Sequence, residues 1–329
     1  MPAFTNPFDY FIDTICFQEN TGPKLYKHYL NTENSKVMLQ KQEYSEAYKE
    51  FKNVINSSKN DRQVSRFLET YLILQRGHRN YVRNIYTVIA RIINQGLISV
   101  VLLLLYFNIG SPDKIDTLYM NFISFFFNTS NQLFVNGIFT TLTTVPLLKE
   151  ILKREYDAKL YRVSSFYLAL LGNNFTICFM SASFLSFTTF WAVRLKNDFI
   201  TFLCFYAINL ISYMLGSIFS VLVGTLFSLN TSMALAPLIF IFFQLLGGFY
   251  KSNEEYPVFI KWLTYTSPYK YTMELYIASE EDFSSITETM RESLQYTIGT
   301  YNCIIILASI YVFFFILSYL SLKRYVNNN

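Results

Sequence analysis

Long apolar stretches alternate with short polar segments from about residue 86 to the C-terminus. A helix that crosses a bilayer needs roughly 20 mainly apolar residues, because each residue adds about 1.5 Å across a hydrocarbon core about 30 Å thick. Six stretches meet this requirement, at residues 86–107, 118–148, 163–191, 199–227, 232–250 and 301–322. The pattern therefore predicts an all-α membrane protein with six transmembrane helices.

The first 85 residues are polar and contain no apolar stretch of this length. Within them, apolar side chains recur at the spacing of one helical face, at Val64, Phe67, Leu68, Tyr71 and Leu72. We predict an amphipathic connecting helix, whose apolar face lies on the membrane surface or packs against a partner domain. The chain then divides into a cytoplasmic linker with this helix at residues 1–85 and a six-span domain at 86–329.

The composition supports lipid as the surrounding medium. The chain is 52% apolar and only 15% charged, whereas about a quarter of the residues in soluble domains are charged. The net charge of +4 gives no indication of a nucleic-acid partner. The four cysteines stand singly, so the sequence indicates neither a disulfide framework nor a metal site.

Basic residues indicate the orientation, because Lys and Arg concentrate in cytoplasmic segments. Residues 1–85 hold twelve of them and residues 149–162 hold five, whereas the alternate loops hold far fewer. Both termini are therefore predicted to be cytoplasmic, which agrees with an even number of spans. The plasma membrane and an internal membrane both stay open as locations.

In this orientation, residues 251–300 form a large outer loop before the last span. The loop carries eight acidic residues and no cysteine. Without a disulfide, we expect aromatic packing to hold it together, by Trp262, Tyr265, Tyr269, Tyr271 and Tyr276.

Three motifs occur in an order that is similar to one known family. The first is Asn-Pro-Phe-Asp-Tyr-Phe-Ile-Asp at 6–13. The second is Arg-Glu-Tyr at 154–156, followed by Leu-Tyr-Arg-Val-Ser-Ser-Phe-Tyr-Leu at 160–168. The third is Phe-Gln-Leu-Leu-Gly-Gly-Phe at 243–249, followed by Trp-Leu-Thr-Tyr-Thr-Ser-Pro at 262–268. They resemble the membrane domain of the G subfamily of ABC transporters, the half-transporters that include eye-pigment, sterol and multidrug exporters. The resemblance implies an ABC2 fold of the type-V exporter kind.

The resemblance also implies a function, the membrane part of an ATP-driven exporter that moves lipids, sterols or apolar xenobiotics by alternating access. Such domains work as homo- or heterodimers. The sequence has no Gly-x-x-x-x-Gly-Lys-Ser/Thr loop and no Ser-Gly-Gly signature, so we expect no catalytic residue here, and ATP and Mg on a missing or partner nucleotide-binding domain.

The family places its nucleotide-binding domain just before the motif at 6–13. We therefore expect a fragment, a split gene or a truncated gene model, with a natural membrane-only subunit as the alternative. An alternative function is a truncated, non-transporting subunit that dimerises with full half-transporters and regulates them.

The resemblance assigns candidate residues to three places. Asn131 and Phe134 of the second span, with Pro237, Ile241 and Gln244 of the fifth, would face a substrate cavity between two half-transporters. Phe134 could instead simply pack or face lipid.

Phe249 and Tyr250 would form an apolar plug on the outer side of this cavity. The coupling loop that docks on the nucleotide-binding domain would contain Arg154, Glu155 and Arg162. A buried Glu155 needs a cation, for which the sequence offers Arg83, Arg91 or Arg162.

Overall fold

A computed structural model describes residues 65–107, 109, 115–193, 198–251, 256–279, 294 and 298–327. The motif at 6–13 and most of the predicted linker lie outside the described residues. The described part is helical and contains no strand, which confirms the all-α prediction. The helices are α1 (Arg66–Arg83), α2 (Ile85–Leu105), α3 (Ile115–Leu142), α4 (Val145–Asp157), α5 (Val163–Val193), α6 (Phe199–Leu226), α7 (Leu229–Leu245), α8 (Val258–Lys261), a 3-10 helix (Trp262–Thr266), α9 (Pro268–Ser279) and α10 (Thr300–Asn327).

Four of the described helices, α2, α5, α6 and α10, are long and apolar enough to cross a membrane. The predicted count of six is not confirmed, for two physical reasons. At 17 residues, α7 is about 26 Å long, just short of the hydrocarbon core. Helix α3 has 28 residues but includes polar amides that lower its hydropathy, namely Asn121, Asn128, Asn131, Gln132 and Asn136.

The stretch predicted as one span at 118–148 contains a break. Helix α3 ends at Leu142 and α4 begins at Val145, so Thr143 and Thr144 lie between the two helices. Pro146 lies in the first turn of α4, where a missing backbone N–H costs no hydrogen bond and the fixed φ favours a helix start. Much of the basic segment at 149–162 is therefore helical, like the short cytoplasmic helix of the family it resembles.

Helix α6 forms the centre of the described bundle, where it packs against α3, α5, α7, α9 and α10. Helix α9 lies within the predicted outer loop, and its Tyr269, Tyr271 and Tyr276 are buried in the core cluster that also contains aromatic side chains of α3 and α6. Trp262 is 63% exposed and does not pack into the bundle, whereas Tyr265 is 53% exposed but has Lys270 Nζ 4.0 Å from its ring centroid. The three buried tyrosines fix this segment to the bundle.

Helix α1 lies where the amphipathic helix was predicted, and it packs against α5. Its contact face is not the apolar face predicted from the sequence. Glu69 is 6% exposed and accepts a hydrogen bond of 2.8 Å from Ser165 Oγ of α5, while Phe67 is 83% exposed. The apolar stripe of Phe67, Leu68, Tyr71 and Leu72 therefore points away from the bundle, and a membrane surface or a partner domain both remain open as its contact.

Candidate functional site

The predicted cavity residues of α3 meet around Tyr269 of α9. The Tyr269 hydroxyl donates a hydrogen bond of 3.3 Å to Asn131 Oδ1. The rings of Phe134 and Tyr269 are 5.1 Å apart between centroids, and Phe134 also packs on Phe240 of α7. Phe134 is only 2% exposed, so within one chain it packs, and its exposure to a cavity between two chains stays a prediction.

The other predicted cavity residues lie on α7. Pro237 is half-buried and Ile241 is 45% exposed. Gln244 Nε2 lies 3.3 Å from the Tyr250 hydroxyl, to which it donates a hydrogen bond. This contact connects the predicted cavity to the predicted plug.

The plug residues contact α3 by aromatic stacking. The Phe249 ring lies parallel to that of Phe127, with centroids 4.0 Å apart, and Tyr250 meets both rings edge-on. Tyr250 is 57% exposed while Phe127 is 3% exposed. The structure thus brings the candidate side chains of α3 and the segment after α7 together into one aromatic and amide cluster.

Glu155 of α4 lies in a polar junction with α1. Arg76 Nη1 and Nη2 each donate a hydrogen bond of 2.9 Å, one to each Glu155 carboxylate oxygen, and the Tyr161 hydroxyl donates another. The partner cation is therefore Arg76, and the prediction of Arg83, Arg91 or Arg162 was wrong. Two parallel bonds from a planar guanidinium fix the angle between the two helices more strictly than a single contact would.

The pKa values of the groups at this junction are shifted by hydrogen bonds, charge and burial. The hydrogen bonds from Arg76 lower the pKa of Glu155 despite partial burial, since they stabilise its ionised form. The pKa of Tyr161 is raised, mainly by burial and also by its bond to the Glu155 carboxylate. Arg154 is exposed and Arg162 is half-buried, so of the three predicted coupling residues Glu155 makes the contact with α1.

The N-terminal half of α4 is attached to α6. Lys149 is 7% exposed, and its Nζ donates to the carbonyl oxygens of Gly224 at 3.1 Å and Thr225 at 3.4 Å, and to that of Phe227. These carbonyls end α6 and lack partners within their own helix, so a cation there satisfies them and complements the helix dipole. Desolvation lowers the pKa of Lys149. Helix α4 is thus held by α6 at one end and by α1 at the other.

A cleft of about 710 Å³ opens beside this junction, between α1, α2, α4 and α5. Glu155 lines it, whereas the candidate residues of α3, α7 and the plug do not. The described residues contain no group of three or more His, Cys, Asp or Glu side chains that could hold a metal ion.

The helical bundle matches a known protein family. A family model described as ABC-2 type transporter matches residues 69–280, which is more than half of the chain. The chain belongs to the ABC-2 type transporter family. The match begins at Glu69 of α1 and ends just after α9, so this ABC-2 domain includes the connecting helix, the α4 junction and the buried tyrosines.

Curated relatives of this ABC-2 transporter domain belong to the G family. ABC transporter G family member 16 of Arabidopsis thaliana is 32% identical over 147 residues, which cover 44% of this chain and 20% of that protein. ATP-binding cassette sub-family G member 5 of Rattus norvegicus is 23% identical over 291 residues, which cover 85% of this chain and 44% of that protein. The chain therefore matches less than half the length of each of these relatives.

Sequence reasoning missed three residues of this ABC-2 domain that make key contacts. Arg76 could have been found from its spacing, because Glu69 and Arg76 are seven residues apart and so lie on one face of α1. Tyr269 was expected only to hold the outer loop, and Lys149 was counted only as a basic residue. Their roles depend on tertiary contacts with α3 and α6, which no local pattern encodes.

Proposed function

We propose that this chain is the membrane-spanning part of an ATP-driven exporter that moves lipids, sterols or apolar xenobiotics by alternating access. Membership in the ABC-2 type transporter family supports a role in transport. The relatives of the G family support the ATP-driven mechanism. ATP and Mg would bind to a nucleotide-binding domain outside the described residues, and both termini would lie on the cytoplasmic side with that domain.

The observation that carries the mechanism is the attachment of α4 at both ends. Its Lys149 holds the end of α6, and its Glu155 holds Arg76 of α1. A force on α4 from a nucleotide-binding domain would therefore reach the centre of the bundle and the connecting helix together. A rigid helix with two directional contacts is suited to this task because each contact fixes an angle as well as a distance.

The aromatic and amide cluster supports the substrate class. It combines Asn131 and Gln244 with the rings of Phe127, Phe134 and Phe249. Amides that orient a ligand among apolar rings suit flat apolar or amphipathic molecules. A second half-transporter, identical or different, would supply the facing wall of the cavity.

Transport by reconstituted protein tests this proposal. The chain is combined with a nucleotide-binding partner in proteoliposomes, and the ATP-dependent movement of a fluorescent lipid or sterol analogue is measured. Glu155→Gln is expected to reduce transport about fivefold or more, the range of a typical coupling free energy between sites. Glu150→Gln is the matched control, because Glu150 lies exposed on the same helix.

Two outcomes contradict the proposal. If Glu155→Gln transports as well as the parent chain, α4 does not couple through this residue. If the chain pairs stably with a complete half-transporter and only suppresses its efflux, the chain is a regulatory subunit.

A further inference from the structure

The cleft beside α4 is lined by both apolar and polar side chains. Its walls include Ile73 of α1, Ile151 of α4 and Leu170 of α5. Arg91 of α2 and Asn174 of α5 line the same cleft. A volume of about 710 Å³ lies within the range of ordinary ligand sites, about 300–1,000 Å³.

Three buried groups in this cleft have no hydrogen-bond partner among the described residues. They are Arg91 Nη1, Asn174 Nδ2 and the Tyr81 hydroxyl. A guanidinium nitrogen and an amide nitrogen can only donate, and a hydroxyl can donate. Buried donors are almost always satisfied in folded proteins, so this arrangement calls for a molecule that presents acceptors.

The charges of the cleft favour an anion. Arg76 and Glu155 neutralise each other through their bidentate pair. The guanidinium of Arg91 has no carboxylate partner among the described residues; its Cζ lies 5.4 Å from the centroid of the Tyr81 ring. A cation over an aromatic face keeps its charge and is held in position, so it is prepared for an anionic acceptor.

The position of Arg91 along α2 indicates which class of anion the cleft would bind. It lies six residues into α2, about 9 Å from the start of that helix. The neighbouring Ile89, Ile92 and Ile93 of α2 are exposed and offer an apolar surface beside the cleft. The anions found at such a polar and apolar boundary in a membrane are the phosphates of lipid headgroups, which arginine binds well.

We propose that this cleft binds a phosphate group, with Arg91, Asn174 and Tyr81 as its donors. The phosphate belongs to an anionic phospholipid whose hydrocarbon lies against the apolar walls, or it is free phosphate. Arg76 and Glu155 of the proposed coupling junction also line this cleft, but its three unpaired donors are different residues, so the proposal does not require the transport function.

Lipid retention by the whole 329-residue chain tests this site. The protein is exchanged into nanodiscs of phosphatidylcholine with or without phosphatidylglycerol, extracted into detergent, and examined by native mass spectrometry. The parent chain is expected to retain phosphatidylglycerol, and Arg91→Gln to retain about tenfold less, as expected for the loss of one charge-assisted hydrogen bond. Arg83→Gln is the matched control, because it removes the same charge from an exposed position of α1 outside this cleft.

A second variant covers the case in which Arg91→Gln does not fold. Asn174→Asp keeps the side-chain size and places a carboxylate in the cleft, where its negative charge takes the place of the phosphate charge. The variant is therefore expected to keep its thermal stability and to lose phosphatidylglycerol retention. Competition with inorganic phosphate distinguishes the two sources: displacement of lipid indicates a site for phosphate itself, and lack of displacement indicates a lipid site. Equal retention of both lipids by the parent chain, with no protection of that chain against thermal unfolding by inorganic phosphate, would overturn the proposal. Equal loss of phosphatidylglycerol in Arg91→Gln and Arg83→Gln would also overturn the lipid site.

Discussion

Two helix seams of this bundle use glycine in different ways. In the α3–α6 seam, a Cβ on Gly137 would lie less than 3.0 Å from the backbone of Tyr213, and a Cβ on Gly216 less than 3.0 Å from the backbone of Phe134. In the α1–α5 seam, Gly77 faces the side-chain amide of Asn173, and Gly172 faces the side-chain end of Leu74. The first seam joins backbone to backbone, whereas the second joins backbone to movable side chains.

This difference separates a fixed part of the bundle from an adaptable one. The α3–α6 seam also carries buried hydroxyl contacts, such as the 2.8 Å bond from Ser220 Oγ to the Ile138 carbonyl oxygen. The α1–α5 seam borders the cleft with its unpaired donors. Because α4 is attached to α6 by Lys149 and to α1 by Glu155, it bridges the two parts. Rearrangement is therefore expected at the α1 end of α4.

The largest effect is expected from Gly216→Ala. The added methyl group would meet a carbonyl oxygen that belongs to a helix backbone, so α3 and α6 would have to separate. We expect the free energy of unfolding to fall by about 3 kcal/mol, the upper end of ordinary overpacking costs. Denaturant unfolding in detergent micelles measures this. A loss below about 1 kcal/mol would show that the seam can open without cost to its packing.

A smaller decrease in the free energy of unfolding is expected from Lys149→Met, which removes the ammonium group while keeping most of the side-chain volume. The carbonyls at the end of α6 would lose their donor, and we expect a loss of about 2 kcal/mol, typical of hydrogen bonds to a charged group. The same unfolding experiment measures it. Lys153→Met on the same helix is the control, and equal losses in the two variants would contradict the attachment of α4 to α6.

The sequence predicted closely the four helices that are long and apolar enough to cross a membrane, because the signal for a membrane span is local. The prediction at 163–191 compares with α5 at Val163–Val193, and that at 199–227 with α6 at Phe199–Leu226. The break between α3 and α4 was missed because apolar residues resume at Val145 directly after Thr143 and Thr144, although Pro146 was a usable signal of a helix start. Contacts made by Glu155 and Tyr269 join residues far apart in the chain, so their partners required the structure.

Acid should weaken the α1–α4 junction by a small amount. The pKa of Glu155 is lowered by its hydrogen bonds to Arg76, so this contact stabilises the fold above the ordinary glutamate pKa of about 4.3 and is lost as pH falls through the lower folded value. We expect at most about 1 kcal/mol, because Arg76 is 47% exposed and solvent screens the pair. Unfolding between neutral and acidic pH measures this, and Glu155→Gln should flatten that part of the profile. An unchanged profile in the variant would show that other carboxylates account for the acid sensitivity.

The smallest effect is expected from Gly77→Ala and Gly172→Ala in the α1–α5 seam. Each added methyl group would meet the end of a side chain, either the Asn173 amide, which lines the neighbouring cleft and can rotate into it, or a Leu74 methyl, which can change its rotamer. Alanine also favours helix over glycine by about 1 kcal/mol, which offsets part of the crowding. We therefore expect each change in the free energy of unfolding to stay within about 1 kcal/mol of zero. Measured beside Gly216→Ala under the same conditions, a comparable loss would show that the α1–α5 seam is as fixed as the α3–α6 seam, and that α4 has no adaptable end on which to move.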